Sequence, residues 1–164
     1  MQNDITQYQE KFNDVIVATG DYAGEITLEI KAEACHEVLK SLKEVFGFNY
    51  LSDITAIDYY SDELRFGVSY NLVSLTNKSR LRVTCRVEED NPTVDSAIDI
   101  WPSANWYERE AWDMMGIRFN NHPDQRRMFM PEDFEYHPLR KEFPLIGIPG
   151  SIQVPDPAPP KEYQ

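Results

Sequence analysis

The apolar positions of this chain switch repeatedly between a helical and a strand period. Ile5, Tyr8 and Phe12 fall at i, i+3 and i+7, which predicts a short amphipathic helix over residues 5–13. The apolar run Val15-Ile16-Val17 begins a strand, and Gly20-Asp21-Tyr22-Ala23-Gly24 has the composition of a turn. Beyond that turn Ile26, Leu28 and Ile30 alternate with Thr27 and Glu29, so a half-buried strand pairs back on the first as a hairpin. From Ala32 to Phe46 the helical period returns in Cys35, Val38, Leu39, Leu42, Val45 and Phe46, with Gly47 as the stop. A further strand is expected over residues 52–59. Two strongly alternating strands follow: Leu64, Phe66, Val68, Tyr70 and Leu72 share one face, Leu81, Val83, Cys85 and Val87 the face of the next, and Asn77-Lys78-Ser79 lies in their connection.

One more helix is predicted over residues 105–115. Tyr107, Ala111, Met114 and Met115 form its buried stripe, with Glu108, Arg109, Glu110 and Asp113 on the remaining surface. Asn105 and Glu108 have the spacing of a capping box, and Gly116 suits a left-handed C-terminal stop. This order of elements predicts an α+β fold for residues 1–147, a mixed or antiparallel sheet with helices packed on one side. After Gly147 the chain changes character. Pro149, Pro155, Pro157, Pro159 and Pro160 remove backbone donors and helical options, so residues 148–164 read as an extended Pro-rich tail. In polyproline II form it would reach about 50 Å at ~3.1 Å per residue, and both a solvated tail and one laid across a partner fit that composition.

Sixteen basic against twenty-eight acidic residues leave a net charge of −12, which repels phosphate backbones and anionic headgroups and argues against nucleic-acid or lipid-surface partners. Cys35 and Cys85 stand fifty residues apart, so this chain alone supplies neither a zinc knuckle nor a four-cysteine cluster site. No run approaches the ~20 apolar residues of a membrane span. His36, His122 and His137 include no i, i+4 pair, and neither a Gly-rich phosphate loop nor a Gly-x-Ser-x-Gly turn occurs. No metal, cofactor or catalytic constellation is therefore expected in this chain.

The charged stretch around the last helix carries what function can be read. Glu108 and Glu110 point to different sides of a helix, which disfavours a general acid–base pair. Arg109 and Asp113 stand at i, i+4 and are expected to pair locally, while Glu110 and Asp113 need a cation from Arg118, Arg126 or Arg127. Two readings stay open: an internal ion network, and a docking edge built on Arg126-Arg127 beside Met128-Phe129-Met130, since Arg is favoured at interface centres. His122 has a side chain that titrates near neutrality, but no relay partner is evident beside it in sequence.

Glu108-Arg109-Glu110, Asp113-Met114-Met115, His122 and Arg126 resemble in spacing the signature of the 30 kDa subunit of respiratory complex I, the proton-pumping NADH:quinone oxidoreductase, and of the same subunit in related quinone-reducing complexes. His137-Pro138-Leu139-Arg140-Lys141-Glu142-Phe143-Pro144-Leu145-Ile146-Gly147 resembles that family's closing motif, and the end of the chain soon after it matches the free-standing form. The resemblance departs at Phe129, where a smaller aliphatic is usual, and at Asn121 and Tyr136, where Gly commonly precedes the histidine. It implies a peripheral-arm subunit with no redox centre of its own, part of an oxidoreductase complex without being its catalyst. Iron–sulfur clusters, FMN, NADH and quinone would then lie in partner subunits. The implied partners are a 49 kDa-type quinone-site subunit and cluster-bearing peripheral-arm subunits, with membrane association, on the cytoplasmic side, through the complex only. Glu108, Arg109, Glu110, Asp113, His122, Arg126, Arg127, His137, Arg140 and Lys141 become candidate architectural or contact residues. The alternatives are the equivalent subunit of a ferredoxin- or hydrogenase-linked relative, and an independent enzyme in which Glu110, Asp113 and His122 converge.

Overall fold

The computed structural model describes residues 5–60 and 63–147. Helix α1 (Ile5–Phe12) leads into strands β1 (Ile16–Tyr22) and β2 (Glu25–Lys31). Their two-residue turn places both Ala23 (φ 53°) and Gly24 (φ 81°) in the left-handed region, the twist that a tight hairpin requires. A 3-10 turn at Ala32–Ala34 precedes α2 (Cys35–Glu44), and β3 (Tyr50–Asp58), β4 (Phe66–Ser74) and β5 (Ser79–Val87) follow. The five strands form one sheet in the order β1-β2-β5-β4-β3, antiparallel except for the parallel pair of β2 and β5.

Cross-strand register explains the core. Ile54, Tyr70, Val83 and Leu28 align in one row across the sheet, and Ala56, Val68, Cys85 and Ile30 in the next. These residues share a core cluster with Tyr8 and Phe12 of α1, with Cys35, Val38, Leu39 and Leu42 of α2, and with side chains of the last helix. The intervening positions make the opposite face polar: Asn71 donates to Asp53 (2.8 Å), Arg82 donates to Asn71 (3.0 Å), and Arg82 pairs with Glu25 (2.9 Å). The α+β sheet with helices on its apolar face is thus as the periodicity predicted.

Several elements differ from the sequence expectation. The helix expected from Ala32 to Phe46 divides into the 3-10 turn and α2, although Gly47 does take a positive φ of 74°. Leu64 lies outside β4 and is exposed. A parallel pair, β6 (Thr93–Asp95) and β7 (Arg118–Asn120), flanks helix α3 (Ala104–Met115). Three-residue strands are too short to leave a period in sequence. The capping box does not form: α3 starts after Ser103, without a side-chain cap, because Glu108 turns inward. The Pro-rich tail expected over residues 148–164 lies outside the described residues.

Candidate interface site around the third helix

Ala111, Met114 and Met115 of α3 are buried as their spacing implies, Ala104 is buried with them, and Tyr107 is only half-buried and donates its hydroxyl to the Ser52 carbonyl (2.8 Å). Two carboxylates assigned to the surface are not there. Glu108 and Asp113 are both 0% exposed. A helical wheel places them on the polar side, but the chain after β6 closes over Glu108 and the chain after β7 over Asp113.

Asp113 organises the arginine turn. Its Oδ2 accepts the backbone N–H groups of Met128 (2.9 Å), Phe129 (2.7 Å) and Met130 (3.1 Å), and its Oδ1 pairs with Arg127 (2.6 Å). Burial alone would raise its pKa, but the three amides and the guanidinium outweigh it and hold the carboxyl below the usual range. Arg127 is therefore the cation expected near Asp113, and its guanidinium also lies over the rings of Trp112 (5.5 Å) and Phe134 (5.9 Å). The expected Arg109–Asp113 pair does not form. Arg109 instead donates to the carbonyls of Arg126 (3.1 Å) and Arg127 (3.4 Å) and stacks over Trp106 (5.2 Å). Arg126 forks onto the exposed Asp124 carboxylate, with a shortest contact of 2.7 Å.

The closing motif caps the helix from its other end. The final turn of any helix leaves carbonyls without intrahelical partners. Here His137 Nδ1–H donates to Asp113 O (3.0 Å), the Leu139 amide to Met114 O (3.1 Å), and Arg140 Nε to Met115 O (2.7 Å). Gly116 ends the helix at φ 78°. A Cβ there would sit 2.5 Å from Arg140 Nη2 and 2.6 Å from His137 Nε2, so the position needs glycine for space as well as for φ. Burial lowers the His137 pKa and keeps it neutral as a neighbour of two arginines.

The same motif is tied to the sheet. Arg65, buried to 5%, pairs with buried Asp58 (2.9 Å), with Glu89 (2.5 Å) and with Glu142. The Lys141 amide also donates to Asp58 (2.8 Å), and Arg65 and Arg140 flank the Phe66 ring at 4.8 and 4.9 Å. The Arg65 hydrogen bonds hold Asp58 far below the ordinary carboxylate range. Lys141 thus contributes through its backbone. Sequence reasoning missed Arg65 and Asp58; a charged residue beside Phe66 at the start of the alternating run 64–72 was the available signal.

Glu108 accepts Ser96 Oγ–H (2.5 Å) and the Ala97 amide (2.7 Å), tying α3 to the chain after β6. His122 Nε2 lies 3.9 Å from its Oε2, with both side chains fully buried. Burial raises the Glu108 pKa to about 7 and lowers that of His122. His122, with no evident partner in sequence, has one in space.

The candidate residues therefore join in one body in which most of the charge faces inward. Glu110 is exposed, Asp113 is saturated, and His122 faces Glu108, so these three do not converge on a common substrate position. Beside the exposed Glu110, Arg126 and Lys141, large apolar side chains also point outward: Trp106, Phe129 and Leu139 are each 57% exposed and Tyr136 49%. Asn121 takes the positive φ (62°) that glycine would favour, whereas Tyr136 does not and packs on Phe134 and Phe143. Among the described residues no group of three His, Cys, Asp or Glu is placed to hold a metal, and no helix is long and apolar enough to cross a membrane.

Residues 28–148 match the family described as respiratory-chain NADH dehydrogenase, 30 Kd subunit. The chain is 44% identical over 143 residues to the C-type subunit of the NADH-quinone oxidoreductase of Geotalea uraniireducens, covering 87% of each. It is 41% identical over 145 residues to the subunit of the same name in Moorella thermoacetica, covering 88% of this chain and 96% of that one. A solved trypsin-resistant fragment of Nqo5 superposes with a TM-score of 0.68 at 32% identity, over 76% of this chain and 99% of the fragment. A chain of the membrane-bound sulfane sulfur reductase, an archaeal respiratory membrane complex, shares the fold with a TM-score of 0.74 at 23% identity, over 87% of this chain and 84% of that chain.

Proposed function

This chain belongs to the 30 kDa subunit family of the respiratory-chain NADH dehydrogenase, and we propose that it serves as a non-catalytic peripheral-arm subunit that supports the quinone-reducing module of a proton-translocating NADH:quinone oxidoreductase. The observation that carries the supporting role is the use of Asp113. A carboxylate that accepts three consecutive backbone amides and an arginine is committed to architecture and presents no lone pair to a substrate. The turn it fixes displays Phe129 outward, and the closing motif displays Leu139, as a docking surface would.

On this reading the partners are a 49 kDa-type quinone-site subunit and cluster-bearing subunits, which hold the iron–sulfur clusters, FMN, NADH and quinone. The complex attaches the chain to the cytoplasmic side of the membrane. The test is affinity purification of the tagged chain from its native cells in mild detergent, with identification of the co-purifying chains and a scan for iron–sulfur absorbance. Recovery with a quinone-site subunit, cluster-bearing chains and an NADH-oxidising module is the expected result. Recovery with a ferredoxin- or hydrogenase-linked module in its place would reassign the electron donor, and recovery alone would overturn the reading.

A further inference from the structure

The contacts of His122 define its protonation state. Its Nε2 faces the Asn105 carbonyl (3.3 Å), which can only accept, and its Nδ1 faces the Asp124 amide (3.0 Å), which can only donate. The imidazole is therefore neutral, with its proton on Nε2. Oε2 of Glu108 lies 3.9 Å from that nitrogen, and neither side chain reaches solvent. Among the described residues no Lys or Arg forms an ion pair with Glu108; its bonded partners are the Ser96 hydroxyl and the Ala97 amide. A buried carboxylate in such a site is neutralised in one of two ways: by a proton of its own, or by a proton on the neighbouring imidazole. The second requires a hydrogen on Nδ1, and a protonated Nδ1 cannot accept the Asp124 amide.

We propose that Glu108 and His122 form a proton-operated latch on the loop at residues 121–126. A proton on Glu108 leaves the imidazole neutral and the Asp124 amide held; a proton on His122 Nδ1 ejects that amide and releases the loop. The other charged or titratable groups around the pair are already engaged or neutral. Asp99 is bound to His36 (2.9 Å), Asp124 to Arg126, and Arg109 to the 126 and 127 carbonyls. Tyr70, on the sheet side, stays a neutral phenol because burial lifts its pKa, and Cys35 stays a thiol through its contact with Cys85 and its burial. The released loop carries Arg126, whose carbonyl is an anchor of Arg109 and whose side chain is 69% exposed. Proton uptake in the core would thus alter an exposed charged edge of the molecule.

The test uses the full-length chain and ¹⁵N and ¹³C NMR from pH 5 to 8.5. At neutral pH His122 is expected as the Nε2–H tautomer. On acidification the His122 ring and the Asp124 amide should titrate together, with amide exchange at Asp124 rising as the ring protonates. In Glu108→Gln, which copies the shape and neutrality of the protonated carboxyl, the ring and the amide should keep their common midpoint, because Glu108 takes its proton before the ring does. The Glu108 carboxyl carbon of the unaltered chain, followed in the same titration, reads the partner's proton without any substitution. An Nδ1–H tautomer at neutral pH would overturn the proposal. So would an Asp124 amide indifferent to His122 protonation, a Glu108 carboxyl that keeps its charge until the ring has titrated, or a ring midpoint that falls by about a full pH unit in Glu108→Gln.

Discussion

Asp113 fixes the segment after β7 by accepting the amides of Met128, Phe129 and Met130 while paired to Arg127. Asp113→Ala leaves three donors and a guanidinium without their acceptor in a partly buried site, and a loss of about 3–5 kcal/mol is expected, measured by urea unfolding. Titration of the buried groups gives the stability opposing slopes with pH below neutrality. Glu108 is raised above its unfolded value, so its contribution is complete below the ordinary glutamate range and is lost as pH climbs through about 7. His122 and His137 are lowered, so theirs is present above the ordinary histidine range and is lost as pH falls through their folded values. Asp113 and Asp58 add further losses at lower pH. Glu108→Gln should flatten the decline between pH 5 and 7, which otherwise has a slope of at most about 1.4 kcal/mol per pH unit from this group. Unfolding midpoints of both proteins across that range measure the difference. Glu108 itself was misplaced by periodicity. A wheel assigns a residue to a face but does not say that a later segment will cover that face.

At the scale of elements, α3 is held from both flanks by chain that has little regular structure. Its N-terminal half is tied to the segment after β6 by Glu108, and its last three carbonyls are capped by His137, Leu139 and Arg140. Arg140→Ala removes the Nε donor to Met115 O and the stacking on Phe66. A charged hydrogen bond of this kind contributes about 1.5–3 kcal/mol. The loss should appear locally, as faster amide exchange at Leu139 and Lys141, while the central amides of β4 and β5 keep their protection. Strong alternation made β4 and β5 legible because each strand has one face in the core and one in polar surroundings. By contrast, β6, β7 and the whole closing segment are stabilised by contacts with residues distant in sequence, and such contacts leave no local period.

At the scale of the whole molecule, a net charge of −12 lies on a fold whose arginines are largely occupied in holding segments together. Self-repulsion among the remaining surface carboxylates opposes compaction and is screened by salt within roughly 10 Å at 0.1 M. Thermal unfolding at pH 7.5 should therefore shift upward when salt is raised from about 10 mM to about 150 mM, with calorimetry as the check; an unchanged or lower midpoint would show that the internal ion pairs dominate instead. Fold class, the β1–β2 hairpin, the core faces of α2, β4 and β5, the stop at Gly116 and the family were all written in local spacing, because periodicity and motif order are properties of neighbouring residues. The interior places of Glu108 and Asp113, the choice of Arg127 over Arg118 and Arg126 as the cation, the Asp58–Arg65 pair and the meeting of His122 with Glu108 were decided by tertiary structure. Each depends on which remote segment closes over a helix or strand end, and burial of a charge is settled only when its partner arrives through space.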